Sequence, residues 1–492
     1  MCEFTDRLNR QSVWLAILAI ALGVWGLTDI RSRAKTDPQN LAAHRTDLTV
    51  YTVAGAAMFD GRDPYAVTNP RGWHYLYPPL LAILVSPLAM LDSQWQGVLW
   101  YAISILAAWG CYTESQRIWR WLRWSNTSGA SGPLRKSTAN SATKQASVAV
   151  PVGFFCFAGA TVLLPALNCL QRGQVGIILT YLLFLGFRCV LTSRTLWPAL
   201  IGGIVLALPI AIKVIPALPV VCLCLLLLAA AGLHHWDAPL TRRAVGISSG
   251  VAVGLLLFFF VIPSVLIGPT TNSKLLNTWV TNVMLNDNGK SDDDFSIHVK
   301  RNQSLTNALY RLGNWTAYAY AHAPDDRLFD AETPVDSQTH DITMPMDTVW
   351  LSRSVRMLQL GLLALLFGAG WNAARDDNAW AVAAVFALAC LLMSAISPIF
   401  RGHYYVLWLP AAWIVPVYVW QYGSQRLAVV LSISACALTW IHYLLLPSAG
   451  RLGVLGLGAT IWYIVATISV LRTKPIARGE SVQTNPELRY AA

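Results

Sequence analysis

Asp47 opens the segment DLTVYTVAGAAMFDGRDPY, directly ahead of a short apolar run, Leu48 to Phe59, and that placement offers its carboxylate two duties. As a helix cap, its oxygens would take N–H groups that a first turn leaves without partners. As a general base, it would take a proton from an attacking hydroxyl. Lys213 poses a similar choice. Its ammonium, set in the apolar stretch ALPIAIKVIPALPV, either snorkels to headgroups from a Pro-flanked turn or meets a phosphate at the leaflet surface. The segment SPIFRGHYY gathers a cation, an imidazole and a phenol in Arg401, His403 and Tyr404. That trio suits an anion and a hydroxyl-rich ligand, and equally an interfacial Arg/Tyr belt. Tyr51, Gln174 in the turn Gln171-Arg172-Gly173-Gln174, and Asn302 and Gln303 in RNQSLTNALYR add hydroxyl and amide groups of the kind that bind hydroxyls, although turns and loops carry such residues anyway. Asp60 and Asp63, in DGRDPY, read as turn chemistry. No HExxH or CxxC spacing is present, so no metal and no cofactor is expected.

The elements that must hold these residues are membrane helices. Of the 492 residues 55% are hydrophobic and only 12% charged, and the mean hydropathy is +0.48, far from a soluble domain of this size. The expected fold is an all-α polytopic membrane protein forming one integral-membrane domain over 1–492. About twelve spans are predicted, each near the length that a hydrocarbon layer of about 30 Å requires. They cover 13–30, 95–113, 148–167, 175–191, 197–212, 214–232, 244–267, 355–371, 379–396, 404–420, 427–446 and 452–471. The first follows a charged start with no small-residue cleavage site and reads as a retained helix. Seven of the nine cysteines fall in or beside spans and read as packing residues, and no disulfide framework is expected.

The net charge of +11 is distributed over short loops and forms no single patch, which argues against nucleic acid as a partner. Within 114–147, Arg117, Arg120, Arg123, Arg135, Lys136 and Lys144 face one acid, Glu114, so this loop is assigned to the cytoplasm. Its RIWRWLRW opening reads as a Trp/Arg interfacial anchor, with binding of an anionic lipid as the sharper alternative. The run Tyr77 to Leu91 has only about 15 residues, opens with Pro78 and Pro79 and contains Pro87, so it is expected to lie at the outer surface and not to cross. The first external loop is then 31–94, the second, large one 268–354, and the tail 472–492 is cytoplasmic. Arg31, Arg33 and Lys35 run against this assignment; the later loops support it. Asp47, the Gln171 turn, Lys213, the Asn302 loop and the Arg401 cluster all fall on the external face.

Taken in order, DLTVYTVAGAAMFDGRDPY, YPPLLAILVSPLA, RGQVGIILTYLLF, the lysine of AIKVIP, NQSLTNALYRL and SPIFRGHYYVLWLP resemble glycosyltransferase family 87, membrane mannosyltransferases of the GT-C superfamily that use polyprenyl-phosphate-mannose. The resemblance implies a GT-C-type fold with external juxtamembrane helices and a catalytic aspartate in the first external loop, which maps onto Asp47. It departs where Tyr404 follows His403, a place where a second histidine often stands, and in the length and acidity of the second external loop. It also implies partners: a polyprenyl-phosphate-sugar donor, a lipid or glycan acceptor, and membrane lipids. On that basis Asp47 is the expected base. Lys213, Arg401 and His403 are expected at the donor phosphate, and Tyr51, Gln174, Asn302, Gln303 and Tyr404 at the sugar or acceptor. The expected location is a bacterial plasma (inner) membrane, with the site outside the cytoplasm. The competing readings are a transporter or flippase of a lipid-linked saccharide, which would place polar residues at mid-membrane depth, and a non-catalytic scaffold.

Overall fold

The computed structural model describes residues 24, 26, 47–69, 72–127, 152–284, 302–313, 349–376, 378–445 and 453–473. Among these the chain is helical, with no strand and two isolated bridges, Thr68 with His74 and Asn302 with Arg401. Two short helices come first, α1 (Leu48–Phe59) and α2 (Pro79–Ala89). The long helices follow as α3 (Ser93–Thr127), α4 (Gly153–Arg172), α5 (Gly176–Thr192), α6 (Leu196–Ile212), α7 (Ala217–Leu233) and α8 (Ala238–Leu256). Helix α8 runs on through a π turn, Leu257–Val261, to Ile267, where Pro263 removes one amide from the ladder. Then come α9 (Pro269–Trp279), α10 (Leu305–Gly313), α11 (Val349–Asp376), α12 (Ala379–Ile396), a 3-10 segment Gly402–Trp408, α13 (Leu409–Tyr422), α14 (Gln425–Leu444) and α15 (Val454–Arg472).

Among the described residues six helices are long and apolar enough to cross a membrane: α4, α8 with its extension, α11, α12, α14 and α15. Helices α5, α6 and α7 are apolar at 17 residues each and coincide with predicted spans. This is the architecture of a polytopic membrane protein. The predicted span at 13–30 lies outside the described residues except for 24 and 26, as do 128–147 of the basic loop and most of the 472–492 tail.

Helix α12 matches its predicted bounds because both ends carry local stops. Asn378 caps it, its side chain accepting from the Trp380 and Ala381 amides, and Ser397-Pro398 ends it. It is also the most enclosed of the spanning helices, with α7, α11, α13 and α15 packed around it. Helix α3 differs from its prediction. Its 35 residues continue fourteen positions past the apolar stretch that ends at Thr113, since nothing from Glu114 to Thr127 is Gly or Pro. The stretch predicted as a large loop contains α9 and α10. Gly268, at φ +87°, ends the preceding helix, Pro269 starts the next, and Asn272 ties back to the Phe259 carbonyl at 3.0 Å.

Polar residues collect at the two ends of α5, which its 17 residues hold about 25 Å apart. One turn before its C-terminal end, Arg188 Nε donates to Glu114 Oε2 and Arg117 Nη1 donates to Glu114 Oε1 at 2.5 Å. Nearby, Arg194 lies over the Trp124 ring at 5.4 Å and Arg243 Nη2 donates to the Ser193 carbonyl at 3.0 Å. The first residues of α5 stand at the other polar cluster.

Candidate active site

Helix α1 is apolar on every side and enclosed, nine of its twelve residues being buried. It packs on α2 so closely that a Cβ on Gly55 would stand 2.8 Å from the Ala82 carbonyl oxygen. Tyr75 secures the start of α2: its hydroxyl donates to the Pro78 carbonyl at 2.6 Å and accepts from the Ala82 amide at 3.0 Å. At 12 and 11 residues, neither helix reaches across a bilayer.

Asp47 stands at the head of α1, yet its side chain makes no capping hydrogen bond. Its backbone amide instead donates to the Arg172 carbonyl at 2.7 Å, fastening the start of α1 to the end of α4. There Gly173 adopts φ +67°, with its amide donating to Leu170 at 3.3 Å and the Gln174 amide to Cys169 at 3.0 Å. These paired bonds close a helix around a left-handed glycine. A Cβ at this position would also press to 3.0 Å from the Leu48 Cβ. The turn delivers Gln174 to Asp47: Nε2 donates to Oδ2, and Arg172 Nη1 lies 3.9 Å from that same oxygen. Oδ1 is buried without a hydrogen-bond partner, and the residue is only 5% exposed.

A line of hydrogen-bonding groups leads from this carboxylate to Lys213. Tyr51, one helical turn from Asp47, donates to Gln174 Oε1 at 3.2 Å, and its hydroxyl is 3.2 Å from that of Tyr77. Lys213 Nζ lies 3.5 Å from the Tyr77 hydroxyl, 4.8 Å from the Tyr77 ring centroid and 3.6 Å from that of Tyr404. The half-buried ammonium therefore points inward between two aromatic faces, a cation–π setting, and does not snorkel outward. Burial pushes its pKa below the ordinary lysine value and Arg401 adds to this, while the Tyr404 phenol works in the opposite direction. Burial also holds the Tyr51 and Tyr77 phenols protonated, well above their usual range.

The segment 398–404 closes one side of the cluster. Asn302 is its brace: Nδ2 donates to the Pro398 carbonyl at 2.8 Å, while Oδ1 accepts from the Phe400 and Ser304 amides at 2.9 and 3.0 Å. The Gln303 backbone bonds to the Phe400 carbonyl at 2.7 Å and to the Tyr405 hydroxyl at 3.0 Å. Asn302 and Gln303 thus shape the segment that presents Arg401, His403 and Tyr404. His403 is held by the Cys169 thiol, which donates to its carbonyl at 3.1 Å. Its imidazole packs edge-on to Tyr404 with ring centroids 4.2 Å apart, and Nε2 is buried without a partner. Burial, then Arg172, Lys213 and Arg401, push it well below the ordinary histidine value, so the ring is neutral.

The structure therefore brings Asp47, Tyr51, Gln174, Lys213 and Tyr404 into one connected set, with His403 and Arg401 alongside. Two members were not singled out from sequence, Arg172 and Tyr77. Only the helix-ending glycine after Arg172 hinted that its neighbours project from the end of a helix. Tyr443 was not anticipated either; its buried hydroxyl has no partner and stands where a Cβ on Gly402 would be 3.1 Å away.

The sequence model of Glycosyltransferase family 87 matches residues 75–398, about two thirds of the chain. The protein belongs to glycosyltransferase family 87. It is a membrane glycosyltransferase, and it therefore works on a sugar donor and an acceptor among membrane lipids. No curated protein and no solved structure matches the chain. The matched stretch contains Tyr77, Arg172, Gln174, Lys213, Asn302 and Gln303; Asp47 and Tyr51 precede it, and Arg401, His403 and Tyr404 follow it. In this family member the matched and flanking segments meet in space at the head of α1.

Proposed function

We propose that this glycosyltransferase moves a sugar, mannose by the family resemblance, from a polyprenyl-phosphate donor to a hydroxyl of a lipid or glycan acceptor. In this proposal the fold is of GT-C type with about twelve spans, and the site faces away from the cytoplasm of a bacterial inner membrane. Where sugar nucleotides are absent, the donor sugar must arrive on a lipid phosphate whose chain lies between helices.

The observation that carries the proposal is Asp47. Its carboxylate is buried, unused as a cap, fixed through one oxygen and open at the other. The acceptor hydroxyl gives its proton to Oδ1 as its oxygen bonds to the anomeric carbon. The bond from that carbon to the phosphate oxygen breaks, and its electron pair leaves with the lipid phosphate. A single direct displacement inverts the anomeric centre. Lys213 and Arg401 meet the charge that grows on the departing phosphate, and neutral His403 offers it an N–H donor. Gln174 holds the base in place, Tyr51 orients Gln174, and Tyr404 lines the sugar side. Asn302 and Gln303 act through the 398–404 segment that they brace.

The test is direct. Purified protein in lipid is incubated with polyprenyl-phosphate-mannose and an extract of bacterial envelope lipids and glycans as the source of acceptor hydroxyls, and donor consumption is followed. Consumption by the wild type and none by Asp47→Asn, with equal thermal stability, supports the reading. An untouched donor, or wild-type turnover by Asp47→Asn, removes it. A transporter would leave the donor chemically intact.

A further inference from the structure

At the end of the molecule away from Asp47, the charged last part of α3 forms a groove with α5. Along its outer face Leu99, Ile103, Leu106 and Trp109 are exposed at steps of three or four residues, an apolar stripe. Three turns beyond Leu106 the same face carries Arg117, then Arg120 and Trp124. On the α5 side, half-buried Tyr181, Leu185, Arg188 and Thr192 follow the same spacing. The two faces meet in an open, shallow groove of about 380 Å³ lined by Arg117, Arg120, Trp121, Trp124, Arg188 and Thr192. Two of its three guanidiniums, Arg117 and Arg188, pair with Glu114, a carboxylate buried behind them. Arg120 is exposed, and no carboxylate pairs with it among the described residues.

We infer that this groove binds an anionic phospholipid of the leaflet at that end of the protein. Its acyl chains lie on the Leu99–Trp109 stripe and its phosphate sits among Arg117, Arg120 and Arg188. Charge complementarity selects the occupant, because an apolar track that ends in excess positive charge matches an acidic lipid and repels a zwitterionic ammonium. Guanidiniums suit a phosphate through forked hydrogen bonds, and the indoles of Trp121 and Trp124 belong at headgroup depth. The site lies at the opposite end of α5 from the candidate active site, so its occupancy is separate from donor binding.

The experiment is native mass spectrometry of the purified protein after incubation with phosphatidylglycerol or with phosphatidylcholine of the same chains. The wild type is expected to retain phosphatidylglycerol selectively. Arg120→Ala should lower that retention about fivefold, the change that corresponds to about 1 kcal/mol for one basic residue at an anionic surface, and Arg120→Glu should lower it further. Since Arg120 is exposed and holds no partner carboxylate, both variants should melt like the wild type in neutral detergent. Equal retention of the two lipids, or unchanged phosphatidylglycerol retention in both variants, overturns the inference. So does inorganic phosphate that raises the melting temperature as much as phosphatidylglycerol, because the site would then read a free anion.

Discussion

Asp47 and Glu114 are both buried carboxylates beside arginines, one at each end of α5, and they differ in what their oxygens touch. Arg117 and Arg188 each take one oxygen of Glu114, so that side chain is closed within a structural cluster joining α3 to α5. Asp47 gives one oxygen to a neutral amide, keeps Arg172 at 3.9 Å and leaves the other oxygen without a partner. Burial next to a guanidinium is therefore not itself a mark of catalysis. The informative feature is a fixed carboxylate with one lone-pair direction unoccupied, because a buried polar atom left without a bond is costly unless a ligand completes it.

Isosteric amide substitutions break this comparison most sharply. Asp47→Asn should keep the Gln174 neighbourhood and the fold while lowering turnover by about 100- to 10,000-fold, the usual worth of a positioned base. Glu114→Gln should do the reverse, lowering the melting temperature because two guanidiniums lose their carboxylate, with turnover per folded molecule unchanged. Melting curves set beside donor-consumption rates check both. A Glu114→Gln enzyme that is stable but inactive would place chemistry at the wrong end.

The next effect concerns the cation that the line of phenols reaches. Lys213→Ala should raise the donor KM by about 10- to 100-fold, in keeping with the loss of one charge-assisted contact to phosphate. A pH profile sharpens this. Burial lowers the Lys213 pKa in the free protein, so the ammonium is lost at a pH below the ordinary lysine range. A bound phosphate favours the charged form, so donor binding draws a proton onto Lys213 and weakens as pH rises through the lowered pKa. Lys213→Arg should remove that alkaline rise in KM, since a guanidinium stays charged. An identical rise in the arginine variant would assign the titration elsewhere.

Why the sequence foretold some of this and not the rest follows from the range of the interactions. The α12 boundaries were legible because Asn378 and Pro398 are local signals. The end of α3 was not, because a hydropathy window stops at charges while the backbone ladder needs only helix-forming residues, and Glu114 to Thr127 supplies them. Asp47 as cap or base was undecidable at the level of residue type. What speaks against the cap is a hydrogen bond to Gln174, 127 positions along the chain, together with the absence of one at the helix start. Lys213 was similarly balanced between headgroups and ligand, and only the fold shows that Tyr77 and Tyr404 enclose it. Tyr77 looked like the start of a short helix, and Arg172 like turn polarity. Both acquire their place only when α1, α4 and the Lys213 turn converge.

A smaller effect should come from the turn that aims Gln174. Gly173→Ala puts a side chain at φ +67° and 3.0 Å from the Leu48 Cβ, so about 1 to 2 kcal/mol of stability should be lost through the left-handed conformation, with some displacement of Gln174. The equivalent change at Gly61, at φ +73° with nothing within 4 Å of its added Cβ, carries the conformational cost alone. If turnover falls in Gly173→Ala but not in Gly61→Ala at equal folded fraction, the Gly173 turn positions the base. Equal turnover would reduce it to a helix stop.

Tyr51→Phe should have the smallest effect, and it asks how much of the difference between the two carboxylates depends on their second neighbours. Glu114 is held by charges that bind it directly, whereas the Gln174 amide that holds Asp47 is itself oriented by the Tyr51 hydroxyl at 3.2 Å. Removing that hydroxyl leaves the ring, and with it the edge-on contact to Tyr77 at 5.1 Å, so packing should persist. The contact to the Tyr77 hydroxyl goes as well, but the bond that bears on Gln174 is one neutral hydrogen bond of about 0.5 to 1.5 kcal/mol, which corresponds to a fall in kcat of about two- to tenfold at unchanged donor KM. A fall in donor affinity with kcat intact would instead mean that Tyr51 serves the Lys213 end of the line, and that the Asp47 amide clamp needs no support from it.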